Sequence, residues 1–118
     1  GVWNGLTPLD VTKNSLVASI TVSGDSVYAG GYSANSFSVV IAGYWKDGVW
    51  NGLTPLDVTQ DSAVTSITIS GGSVYAGGYS TNSSSVNVAG YWKDGIWNGL
   101  TPLDVTKNSW VLSLFVTQ

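Results

Sequence analysis

The stretch "GYWKDGVWNGLTPLD", Gly43 to Asp57, returns as "GYWKDGIWNGLTPLD" from Gly90 to Asp104, and its second half opens the chain as "GVWNGLTPLD". The phrase is headed in turn by Gly1, Gly48 and Gly95, so the sequence repeats with a period of 47 residues. Self-similarity at a fixed period of this length marks a repeat architecture. Two full periods are present, followed by part of a third. Inside the phrase, Asp47-Gly48 and Asp94-Gly95 are the strongest hairpin signals in the chain, because a type I′ turn needs positive φ at both central residues. With that turn, Trp45 stands directly across from Trp50, and Trp92 from Trp97.

The rest of the period extends this hairpin on both sides. "VVIAGYWK", Val39 to Lys46, is the strand entering the turn, and "VWNGLTPL", Val49 to Leu56, is the strand leaving it. Pro55 cannot donate to a ladder, which places that last strand at an edge or ends it there. Upstream, "SLVASITVSG", Ser15 to Gly24, alternates with Leu16, Ala18, Ile20 and Val22 on one face, the period-2 pattern of a strand. Gly24-Asp25 is a second two-residue turn signal, and "SVYAGGYS", Ser26 to Ser33, follows it. In that register Val22 faces Val27 and Ile20 faces Ala29. Each period therefore predicts four short antiparallel strands.

Composition agrees. The 118 residues hold six Trp, six Tyr and 15 Gly, no Cys, Met or His, and neither Glu nor Arg. Val, Thr, Ser, Tyr and Gly are residues of strands and turns. Charged residues make up 9% against about 25% in an average soluble domain, with a net charge of −3. Four scattered Lys form no basic patch, which argues against a nucleic-acid partner. No apolar run approaches the ~20 residues that span a bilayer. Without Cys there is neither a disulfide nor a thiolate–metal site. There is no signal peptide and no initiator Met, so the chain is expected to be processed, excised or incompletely represented. Low charge with abundant Ser, Thr and Asn leans towards a secreted or cell-surface location.

Four antiparallel strands every 40 to 50 residues is the signature of a β-propeller blade. The chain resembles the bacterial propeller repeats whose blades carry "VSG..VYAGGY" on the inner hairpin and "AGYWKDG..W" on the outer one. That resemblance covers the whole sequence. It implies an all-β chain of residues 1–118 with two complete blades, 15–57 and 62–104. Residues 1–14 would be an outer strand and crossover, and 109–118 an inner strand of a third blade. Two blades close no ring, since propellers typically have four to eight, and repeat units depend on neighbours to cover their faces. Partners are therefore expected to be further copies or further repeats of the same polypeptide.

The candidate ligand-contacting residues are the aromatic ones: Tyr28, Tyr32, Trp45 and Trp50 in the first period, and Tyr75, Tyr79, Trp92 and Trp97 in the second. Facing aromatic pairs stabilise a hairpin by about 0.2–1 kcal/mol, so the Trp pairs serve as a clasp before they serve as a sugar platform. The Tyr pairs, with glycines between them, suit packing of blade on blade, or a groove for a glycan. Asp10, Asp57 and Asp104 recur after "TPL", where an Asp fixes a turn by accepting a backbone N–H two residues on. Neither a calcium site, which needs several oxygen ligands together, nor any other metal or cofactor is expected. Catalysis is disfavoured, because every carboxylate and hydroxyl that could act is repeated and nothing singles out one base or nucleophile. The function expected is a non-enzymatic structural or interaction scaffold, with a lectin-like glycan-binding module as the alternative.

Overall fold

The computed structural model describes residues 1–116. The chain is all-β, with two four-stranded antiparallel sheets and no helix among the described residues. The first sheet runs β1 (Ser15–Ser23), β2 (Ser26–Ala34), β3 (Val40–Lys46), β4 (Val49–Gly52), and its strands lie in chain order. The second repeats it as β5 (Ser62–Ser70), β6 (Ser73–Thr81), β7 (Asn87–Lys93) and β8 (Ile96–Gly99).

The turns set the register. Asp47 and Gly48 have φ of 50° and 86°, and Asp94 and Gly95 match them at 49° and 86°, as a type I′ turn requires. Trp45 consequently pairs with Trp50, and Trp92 with Trp97. The Asp47 carboxylate does more than tolerate the turn: its Oδ1 accepts the Val27 N–H at 2.8 Å, tying the hairpin tip to the start of β2. Asp94 does the same for Val74. The inner turns differ between copies. Gly71 and Gly72 both take positive φ, whereas of Gly24-Asp25 only Gly24 does, the sign pattern of type II′.

One part of the sequence reading is corrected. The pairs Val22↔Val27 and Ile20↔Ala29 form as the alternation predicts, but a β-bulge between Val17 and Ser19 shifts the register. Beyond it Val17, not Leu16 or Ala18, shares the face of Ile20 and Val22. An extra residue in one strand switches the facing of everything past it. Gly31 makes room for the bulge: a Cβ there would lie 1.8 Å from the Leu16 carbonyl oxygen, and Gly78 repeats this with Ala63 at 2.0 Å. The fourth strands are also shorter than the alternation suggests. After one more bond, Leu53 N–H to Ala42 O, the chain leaves the ladder ahead of Pro55.

The sequence also predicts an outer strand at the N-terminus and an inner strand over 109–118. Residues 1–9 form no strand, and neither do 109–116; residues 117–118 lie outside those described. Residues 1–9 pair with no strand among the described residues, whereas β4 and β8 are each held by the other arm of a hairpin. Residues 109–116 make isolated backbone bonds, Ser109 N–H to Asn87 O and Val111 N–H to Gly78 O, and join no ladder among the described residues. The core lies between the two sheets, where Ala42 and Leu53 of the first period meet Val64, Ala76 and Trp92 of the second.

Candidate functional site

Each sheet has two unlike faces. One face of the first sheet carries Ser19, Tyr28, Gly30, Tyr32, Ala42 and Tyr44, and it turns towards β5: a Cβ on Gly30 would fall 2.8 Å from Val64 Cγ1 and 3.1 Å from Ile67 Cβ. The opposite face carries Val17, Ile20, Val27, Ala29 and Trp45, and no strand covers it.

The seam between the sheets is held by hydrogen bonds that repeat along the chain. Ser62 Oγ accepts the Ala42 N–H at 2.9 Å, and Asp61 Oδ1 accepts the Val40 N–H at 2.9 Å. The Ile67 N–H donates to Ser19 Oγ at 3.2 Å. The segment leaving β4 lies across the second sheet, with the Leu56 N–H on Ser80 Oγ at 2.8 Å and Trp92 Nε1–H on the Thr54 carbonyl at 2.9 Å. One period earlier the same partners recur, Leu9 N–H on Ser33 Oγ at 2.9 Å and Trp45 Nε1–H on the Thr7 carbonyl at 2.8 Å. One period later, Ser109 accepts from Ala89, Asn108 from Asn87, and Ser66 from Leu114. The N-terminal and C-terminal segments thus occupy their seam positions without forming their strands.

The predicted aromatic residues divide accordingly. Trp45 and Trp50 have ring centroids 4.6 Å apart at 58°, and Trp92 and Trp97 reproduce this pair. Trp45 and Trp92 are buried, and their indole N–H groups are taken up by the carbonyls of the preceding period. The Trp50 ring lies over Gly43, where a Cβ would come within 2.3 Å of it. Tyr28 packs on Tyr44 at 6.1 Å with the Lys46 ammonium 5.6 Å from its ring, and Tyr75, Tyr91 and Lys93 repeat the cluster. Burial, followed by the neighbouring Tyr28 and Asp94, raises the Tyr44 hydroxyl above its ordinary range. Tyr79 is raised by burial and then by Asp61 and Tyr32. The eight candidates therefore form no single cluster. They fall into equivalent sets, one per period.

The recurrent carboxylates fix turns. Asp10 Oδ1 accepts both the hydroxyl and the backbone N–H of Thr12, and Asp57 and Asp104 do the same with Thr59 and Thr106. Those bonds hold the three carboxyls below the usual Asp value. Asp47 and Asp94 are lowered by the N–H groups of Val27 and Val74, and then by Ser26 and Ser73. Among the described residues no three acidic side chains come together.

Sequence reasoning missed the serines. Ser19, Ser33, Ser62 and Ser80 accept the seam's backbone N–H groups, and their signal was recurrence one period apart at positions that alternation alone makes look interchangeable with any polar residue. A groove of about 1140 Å³ opens on the uncovered face of the first sheet, lined by Val17, Ile20, Val27 and Trp45 and edged by Trp3 and Asn4 of the N-terminal segment. The chain matches no protein-family model, no curated protein and no solved structure. Among the described residues no helix is long and apolar enough to cross a membrane, which says nothing of a β-barrel.

Proposed function

We propose that the chain is a non-enzymatic scaffold, a β-propeller protomer whose sheets are blades and whose blade faces join further blades, by self-association or within a longer polypeptide. One observation carries this reading. The surface that is sealed in the second sheet is bare in the first: Val64 and Ile67 are 1% and 4% exposed, while their counterparts Val17 and Ile20 are 43% and 65% exposed. An apolar face built to be covered, and left open, calls for a neighbour of the kind that covers its copy. The repetition of every candidate group supports a role without catalysis, and low charge with abundant Ser, Thr and Asn fits a secreted or cell-surface setting. Sedimentation of the chain from dilute to nearly millimolar solution tests the reading. Mass that rises with concentration is expected; a compact, stable monomer of 12.3 kDa throughout would sink it.

A second reading, glycan binding, draws on Trp3, which is 90% exposed at the rim of the groove beside Asn4. Stacking on an indole with an amide alongside is chemistry suited to a sugar. Quenching of Trp fluorescence by sugars together with glycan-array binding would favour it; silence on a broad array would exclude it.

A further inference from the structure

The seam positions of the molecule hold three different things. Between the sheets, the Gly30 position receives Val64 and Ile67 from a paired strand. On the far side of the second sheet, Gly77 receives Val111 and Leu114: a Cβ there would fall 3.1 Å from Val111 Cγ1 and 3.4 Å from Leu114 Cβ. That segment has no strand partner, and Leu112 and Phe115 within it stand exposed. The matching residues in β1 and just before it, Asn14, Ser15, Val17 and Ile20, cover no other sheet.

We propose that β1 of a second copy of this chain competes with residues 108–116 for the position over Gly77, so that copies join head to tail and 108–116 acts as a detachable cap. This rests on the scaffold reading and names the partner and the residues. The fit is residue by residue. Asn14 Oδ1 stands where Asn108 accepts the Asn87 N–H, Ser15 Oγ where Ser109 accepts the Ala89 N–H, and the Ile20 N–H where Leu114 donates to Ser66 Oγ. Val17 and Ile20 replace Val111 and Leu114 over Gly77.

Two further facts single out a second copy. Trp3–Ser15 and Trp97–Ser109 are identical in sequence, so an incoming copy brings the same crossover that the resident one already uses. The joint must be an exchange, in which one of the two identical segments leaves, rather than an addition. Second, β1 is already ordered by its ladder with β2, so docking it costs less chain entropy than ordering an unpaired segment. The cap holds its place in dilute solution because a tethered competitor acts at an effective concentration of about millimolar. A joint between unlike faces propagates, giving a ring where the rotation closes and a filament where it does not. Each copy adds two sheets per joint, so a closed ring holds an even number.

Analytical ultracentrifugation of the 118-residue chain and of four variants tests the proposal, with circular dichroism to confirm folding: Leu114→Asp, the truncated chain 1–107, Ile20→Asp, and Leu114→Asp combined with Ile20→Asp. Releasing the cap, by Leu114→Asp or by truncation, should lower the concentration of half-association on the order of a hundredfold. Ile20 is exposed, so Ile20→Asp leaves the fold intact; it should abolish association both in the parent and with the cap released. Association that persists with Ile20→Asp, or that fails to strengthen in a folded cap-released variant, overturns the proposal while the associating parent keeps the scaffold reading. Should no variant associate, both fall.

Discussion

The two sheets are near copies in sequence, yet their first strands differ in burial: β5 is largely buried and β1 largely exposed. Their strands, registers, outer turns, bulges and Trp pairs coincide. What separates them is position in the stack: the second has a sheet in front of it, and the first has only the strap of residues 1–9. The comparison teaches that local sequence determines the sheet, whereas the neighbour determines whether its face is a core or a surface.

The sharpest way to break this comparison is to shorten the same side chain on both sheets. Ile67→Ala should cost about 2–5 kcal/mol, as large-to-small changes in a sealed core do. Ile20→Ala should stay within about 0.5 kcal/mol, the range of surface changes. Urea unfolding of the two variants measures both, and equal losses would mean that the first face is covered in solution.

A smaller contrast comes from the seam serines. Ser62→Ala strands the Ala42 N–H and should cost about 1–3 kcal/mol. Ser15→Ala, at an exposed position, should leave the unfolding midpoint nearly unchanged. Amide exchange at Ala42 should quicken only in the first of these variants.

The smallest effect should be the same on both sheets. Asp10, Asp47, Asp57, Asp94 and Asp104 all have carboxyls lowered from 3.8 by hydrogen bonds. A carboxyl lowered by folding stabilises the native state above its unfolded value and loses that contribution as pH falls through its folded value. The melting temperature should therefore be flat from neutral pH to about pH 5 and fall below about pH 4. Thr59→Val, which removes one donor to Asp57, should make that acid limb slightly shallower. An acid limb of unchanged steepness would assign the loss to other groups.

Much of this architecture was legible in the residues. Two-residue turns leave little choice of register, and so Asp47-Gly48 sets Trp45 against Trp50 and Gly24-Asp25 sets Val22 against Val27 from the sequence alone. The bulge at Ala18 was not legible from alternation, because Leu16, Ala18, Ile20 and Val22 make an unbroken apolar series on paper. The doubled apolar pair Leu16-Val17 opposite Tyr32-Gly31 was the clue, since only the missing Cβ of Gly31 admits the displaced carbonyl. The unformed strands at 1–9 and 109–116 were misread for a different reason. Their side chains are those of β4 and β5, but a strand is a pairing, and the partner is not encoded in the segment. The candidate aromatics were identifiable, yet their grouping was not, because which face meets the neighbour depends on the crossover.

The direction of the seam has a consequence for synthesis. Ser62 caps Ala42 from 20 residues downstream, and Ile67 comes to rest beside Gly30 later still. Chains emerge from the ribosome N-terminus first, at about 5–20 residues per second. A nascent first sheet is thus complete in its hairpins for some seconds before the residues that roof it have been made. Elongation, more than collapse, sets the pace at which each face is closed, and the growing tip always carries one bare sheet for a chaperone to shield.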